Sequence, residues 1–143
     1  VIMPNWTYNY IQFVGKTEES VKQLKDLLKS DDNDFDFNNV IPMPKHIFQG
    51  NLGQEEREIH GKNNWYDWSI MNWGTKWNAQ EVDVRQNKNV LDYSFQTAWD
   101  APREIIQALE HMKDTILKDI SIDWSCVHED GDEEETLLVT DDA

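Results

Sequence analysis

The chain has 143 residues, 38% of them apolar and 11% aromatic, which suits one globular domain with a core of its own. Its 13 basic and 28 acidic residues leave a net charge of −15. That charge excludes binding nucleic acid through its phosphates or docking on anionic membranes, and favours basic partners, cations or plain solubility.

A single cysteine, Cys126, leaves no intrachain disulfide and points to a reducing compartment. The N-terminal VIMPNWTYNY lacks the basic and apolar regions of a signal peptide, and Met3 reads as the natural start. No segment reaches the ~18 apolar residues of a membrane span, so a cytoplasmic protein is expected.

Trp6–Val14 is rich in aromatic and β-branched residues and stops at Gly15, which predicts a strand. Thr17 is placed to cap a helix whose first turn carries Glu18 and Glu19 and whose apolar stripe is Val21, Leu24 and Leu28, with Leu27 beside it. That helix should end near Ser30, before the turn Asp31-Asp32-Asn33-Asp34. FDFNNVI (35–41) alternates and then meets PMP, which predicts a short strand running into a loop. Residues 45–62 are polar and hold Gly50, Gly53 and Gly61; with the tryptophan-rich NNWYDWSIMNWGTKWNA (63–79) they form an expected insertion, about 45–79, with a short helix near 54–59.

Val82 and Val84 alternate with acids, Asn87-Lys88-Asn89 is a tight turn, and Leu91, Tyr93 and Phe95 alternate with polar residues, which together predict a β-hairpin. Asp100 and Pro102 open a second helix with the stripe Ile105, Leu109, Met112 and Ile116, widened by Ile106 and Leu117. Ile120, Ile122, Trp124 and Cys126 form one face of a strand, EDGDEEE a solvated turn, and TLLVT an optional edge strand. The sum is a single α+β domain over 1–143: a ferredoxin-like split βαβ with an antiparallel sheet, two helices on one face, and an acidic C-terminal hairpin or tail at about 128–143. The tryptophan-rich insertion is the expected cover for the other face.

Four blocks occur in order: MPNW (3–6), IPMP (41–44), WYDWSIMNWGTKWNA (65–79) and FQTAW (95–99). With them the chain resembles a phage- and plasmid-encoded family of ferredoxin-like domains of unknown function, from Met3 to about Trp124. The resemblance implies a mobile-element origin, hence a host-cell cytoplasm, and no established activity or catalytic residues. Thr7 stands where a cysteine is common in that family, so no role for that thiol carries over.

Trp68, Trp73 and Trp77, with Lys76 and Asp67, could line an aromatic cleft for a small ligand. Rings that each bury ~150–250 Å² are also explained by core closure alone. Lys76 is the nearest sequence partner for Asp67, and Asp100 is the other acid near this surface. Cys126 and His128 lie two apart on one strand face, the spacing of a nucleophile and its base, but Cys126 continues an apolar stripe and reads as a small hydrophobe. No hydrolase, zincin, P-loop or dinucleotide motif is present. DDNDFDFNN begins like a calcium loop but lacks its glycine and its closing glutamate, and the four histidines are scattered, so neither catalytic residues nor a metal nor a cofactor is expected.

Six acids close together, Glu129, Asp130, Asp132, Glu133, Glu134 and Glu135, and three more, Asp31, Asp32 and Asp34, are the candidate partner-binding residues. Fifteen net charges match roughly 25 Å of duplex DNA at ~1.7 Å per charge. The expected function is therefore a non-enzymatic accessory protein that offers a DNA-like acidic surface to a basic host protein, such as a nuclease or defence component, as an anti-restriction or anti-CRISPR inhibitor would. The rival expectations are a ligand-binding protein or enzyme using the tryptophan cleft, and a structural module that dimerises through its sheet.

Overall fold

The computed structural model describes residues 5–115, 117–129 and 133–140. The elements run β1 (Trp6–Val14), α1 (Glu18–Leu28), α2 (Gln54–His60), α3 (Trp65–Asn72), β2 (Gln80–Asn87), β3 (Val90–Ala98), α4 (Arg103–His111), β4 (Ser121–His128) and β5 (Glu134–Val139). The strands form one antiparallel sheet in the order β2-β3-β1-β4-β5.

β1 is the central strand, so alternation along it sorts the whole sheet into two faces. Thr7, Asn9, Ile11 and Phe13 are buried, while Tyr10 and Gln12 between them are exposed. Thr17 caps α1 through a bond from the Ser20 amide, and α1 buries Val21, Leu24 and Leu28. α4 buries Ile105, Ile106 and Leu109 into the same cluster, which also holds Phe13, Leu91, Phe95, Ile122 and Trp124. The β2–β3 hairpin closes over Lys88 and Asn89, with Lys88 at φ +54°.

Four expectations are corrected. Residues 35–41 are not a strand but carry a 3-10 turn at Phe37–Asn39. Local side-chain bonds win over alternation there: Asn33 Oδ1 accepts from the Phe35 amide, and Asp36 Oδ1 from the Asn38 amide. The two rings still point inward, Phe35 against Tyr93, Phe95 and Trp124, and Phe37 against Trp73 and Phe95. Second, the tryptophan stretch does not cover the opposite face of the sheet. It begins with helix α3, capped by Asn64 on the Asp67 amide, and Trp73 joins the helix-covered core. Among the described residues nothing covers the other face, where Tyr10 is exposed. Third, α4 ends at His111 in a 3-10 turn (Met112–Asp114); the expected continuation to Ile116 falls on a residue outside the described ones. Fourth, Glu134 and Glu135 belong to β5 rather than to a turn.

The core has one unmet polar group among the described residues. The Tyr93 hydroxyl is buried without a hydrogen-bond partner, and burial, with Asp34 and Asp26 nearby, pushes its ionisation well up. The ring itself packs edge-on against Phe13 and Phe35. Tyr93→Phe keeps that packing and removes the stranded donor, so stability should rise by about 1 kcal/mol. The urea midpoint should move up with an unchanged slope, whereas a drop would mean that the hydroxyl is satisfied in solution.

Candidate functional site

Three places concentrate polar or aromatic chemistry. The first is one end of the covered sheet face, assembled by strand register. Thr7 lies opposite both Thr97 and His128, Asn9 opposite Cys126, and Cys126 opposite Glu135, so all six share a face. The residues bond to one another in sequence. Trp124 Nε1 donates to Asn9 Oδ1 (3.2 Å), and Asn9 Nδ2 donates to Thr97 Oγ1 (3.0 Å), which donates to the Asp100 carbonyl (2.7 Å). Arg103, the first residue of α4, then bridges two carboxylates: Nε meets Asp100 Oδ2 at 2.9 Å and Nη2 meets Glu135 Oε1 at 2.8 Å. Hydrogen bonds to Asp100 and Glu135 hold its guanidinium firmly charged. On the far side, Thr7 Oγ1 lies 3.0 Å from His128 Nδ1, and His128 Nε2 lies 4.0 Å from Cys126 Sγ.

The Cys126–His128 pair thus meets in space, as the two-residue spacing suggested. Burial works against a nucleophilic role for the sulfur. With Glu135 alongside, it pushes the thiol up to about 11, which disfavours the thiolate form. Thr7, Asn9, Thr97 and Arg103 escaped sequence reasoning, because only the pairing of distant strands brings them together. The one available signal was the polar interruption of an otherwise apolar face on β1.

The second place is the tryptophan stretch. Gly74, at φ +81°, turns the chain beneath the N-terminus of α4, and Thr75 Oγ1 donates to the Ala98 carbonyl (2.7 Å). Lys76 is then boxed by aromatic faces: its Nζ lies 4.6 Å from the Trp77 ring centre, 5.0 Å from Trp99 and 5.9 Å from Tyr66. Trp73 is 4% exposed, its indole donates to the Ile41 carbonyl, and its ring packs edge-on against Trp68. Asp67 does not pair with Lys76; it accepts from Asn64 Nδ2 at 2.7 Å. A hollow of about 280 Å³ remains beside Trp65, Trp73, Lys76 and Trp77. Of its rings, Trp77 already serves the protein's own lysine.

The third place is the open sheet face. A shallow cavity of about 510 Å³ is lined by Tyr10, Asp83, Arg85, Asp92, Asp123 and Glu134, among others. Register sets Asp92, Gln12 and Asp123 side by side across β3, β1 and β4, with Arg85 opposite Asp92 on β2. Arg85 pairs with Asp83 at 3.3 Å and Gln12 with Asp92 at 3.2 Å, which leaves more negative than positive charge around an exposed Tyr10.

The described ones among the acids singled out in the sequence do not gather on one flank. Glu129 Oε2 accepts from the Trp6 amide at 2.7 Å, Glu135 turns to Arg103 on the covered face, and Glu134 lines the open face. Glu133 stands exposed before β5, and Asp130 and Asp132 lie outside the described residues. Asp32 and Asp34 line a polar hollow with Gln80 and Glu81 at the β2 edge, next to Asp31. β2 and β5 are opposite edges of five strands, roughly 19 Å apart at ~4.8 Å per strand. The carboxylates that do share a face, Asp83, Asp92, Asp123 and Glu134, come mostly from the half-buried strands rather than from the acidic runs.

Among the described residues no helix is long and apolar enough to cross a membrane. Comparison with family models, with curated proteins and with solved structures returns no match.

Proposed function

We propose that this chain is a non-enzymatic acidic accessory protein that docks a basic protein on the open face of its sheet. The observation that carries the reading is the patch Asp83, Asp92, Asp123 and Glu134, against which stands only Arg85. The covered face is filled, so the open face is where the sheet offers area to a partner. Carboxylates on rigid strands present charge at fixed spacing, which favours fast, salt-sensitive capture of lysine- and arginine-rich surfaces. A cleft that handles nucleic acid has that chemistry, and the net charge of −15 suits a competitor for such a cleft. The motif resemblance to phage and plasmid proteins makes a host nuclease or other defence protein the first candidate. The fold reading is ferredoxin-like: what supports it is the order β4-β1-β3-β2, all antiparallel, with α1 and α4 on one face and β5 added at an edge.

The cleft alternative loses support because Lys76 occupies the face of Trp77 and Trp73 is buried in the core. Immobilised protein should retain basic proteins from a bacterial lysate at low salt and release them at high salt. The double reversal Asp92→Lys/Asp123→Lys should cut that retention at least tenfold, since each reversed rim charge both loses an attraction and adds a repulsion. Undiminished retention by the double variant would rule out the sheet face.

A further inference from the structure

We propose that Cys126, His128 and Glu135 form a binding site for a single zinc-class divalent cation at the end of the covered sheet face. Their ligand atoms, one sulfur, one imidazole nitrogen and one carboxylate oxygen, all lie within 4.8 Å of one another. Cys126 Sγ and His128 Nε2 are 4.0 Å apart. A tetrahedral zinc with Zn–S near ~2.3 Å and Zn–N near ~2.0–2.1 Å sets those two atoms roughly 3.6 Å apart. Two of the three donors therefore need to move by only a few tenths of an ångström, and rotation of the Glu135 side chain brings in the third.

The surroundings orient these donors as a metal site requires. Thr7 Oγ1, at 3.0 Å, occupies His128 Nδ1 and turns Nε2 towards the sulfur. A histidine ligand is usually fixed by such a bond on its other nitrogen. Arg103 Nη2 holds the Glu135 carboxylate, at 2.8 Å from Oε1 and 3.3 Å from Oε2, and leaves lone pairs on both oxygens. The Arg103 charge does not bar a cation, because Asp100 also neutralises it through bonds of 2.9 and 3.1 Å. Cys126 and His128 come from β4, and Glu135 faces Cys126 across the β4–β5 ladder, so the site rests on two paired strands. Backbone on paired strands is already ordered, which lowers the cost of gathering the ligands.

The donor set also selects the metal. Thiolate plus imidazole favours zinc over magnesium or calcium, which take all-oxygen shells. Once the metal displaces the Cys126 proton to solvent, two anionic ligands and a neutral one balance a dication. Cys126 is buried, while His128 and Glu135 are partly exposed, so a fourth position faces solvent and suits a water. This inference stands apart from the docking face, which lies on the other side of the sheet.

Cobalt(II) is the direct probe. Added to metal-free protein, it should bind one equivalent, give the near-ultraviolet band of a thiolate–cobalt bond with visible bands of tetrahedral strength, and be displaced by zinc. Cys126→Ser should remove the thiolate band. His128→Gln, at a partly exposed position, should abolish one-to-one binding, and Thr7→Val should weaken it 10- to 100-fold. Far-ultraviolet circular dichroism and the urea midpoint of the metal-free His128→Gln protein should match the parent. A thiolate band that never appears at saturating cobalt would overturn the site, and so would a band that survives His128→Gln at unchanged affinity.

Discussion

Phe35→Ala is expected to cost about 3–5 kcal/mol, a large share of the roughly 5–15 kcal/mol that holds a domain of this kind together. Phe35 lies in the long connection between α1 and β2, where a substitution would ordinarily pass unnoticed. Yet its side chain is fully buried, with Phe37 at 5.5 Å, Tyr93 at 5.3 Å, Phe95 at 5.2 Å and Trp124 at 6.3 Å between ring centres. Removing it empties the space between the sheet and the connection, and the strands cannot collapse inward to fill it. Urea denaturation followed by tryptophan fluorescence should show the midpoint falling accordingly. Trp99→Ala, at a ring 45% exposed, should cost far less although it removes a larger side chain. If the two changes prove equally mild, the connection is a detachable appendage and not part of the core.

Gly74→Ala is expected to cost about 2–4 kcal/mol, for two reasons that can be separated. The residue sits at φ +81°, where an L side chain is strained by ~1–3 kcal/mol. An added Cβ would also meet the Arg103 backbone nitrogen at 2.9 Å and that of Glu104 at 3.2 Å. Backbone at the start of a helix cannot swing aside as a side chain can, so α4 must lift. Gly61→Ala supplies the comparison: Gly61 has φ +56° but no atom within 4 Å of an added Cβ, so it registers strain alone. Gly74→Ala should be the more damaging of the two by chemical denaturation. It should also loosen the bond between Arg103 and Glu135, because α4 carries the guanidinium.

Much of the scaffold could be read from residue order. Thr17 with its two glutamates, the alternation through Leu91, Tyr93 and Phe95, and the stripe of Ile105 and Leu109 each signal one element, and each element is there. Those signals are local, and they hold where local preference and burial agree. They disagree at 35–41. Phe35 and Phe37 alternate like a strand, but Asn33, Asp36 and Asn78 offer their side-chain oxygens to the backbone amides and coil the chain. The tryptophan stretch misled in another way, because its composition states that aromatic surface is to be buried and not against which face. The sites were less legible still. Cys126 and His128 are neighbours in sequence, but Glu135, Thr7 and Arg103 reach them only through strand pairing and a helix start. Asp83, Asp92 and Asp123 were visible as polar positions of three alternating strands and Glu134 as part of an acidic run, and only the strand order shows them to be adjacent.

The central place of β1 has a consequence for how the chain is made. It leaves the ribosome before either of its partners, β3 and β4, with Thr7 and His128 separated by 121 residues. At ~5–20 residues per second, the N-terminal strand waits roughly 6–25 s during translation with its second edge unsatisfied. Assembly of the domain is then a late event governed by distant pairings, which slows refolding. Over that interval the acidic excess of the sequence disfavours contact between one exposed strand and another.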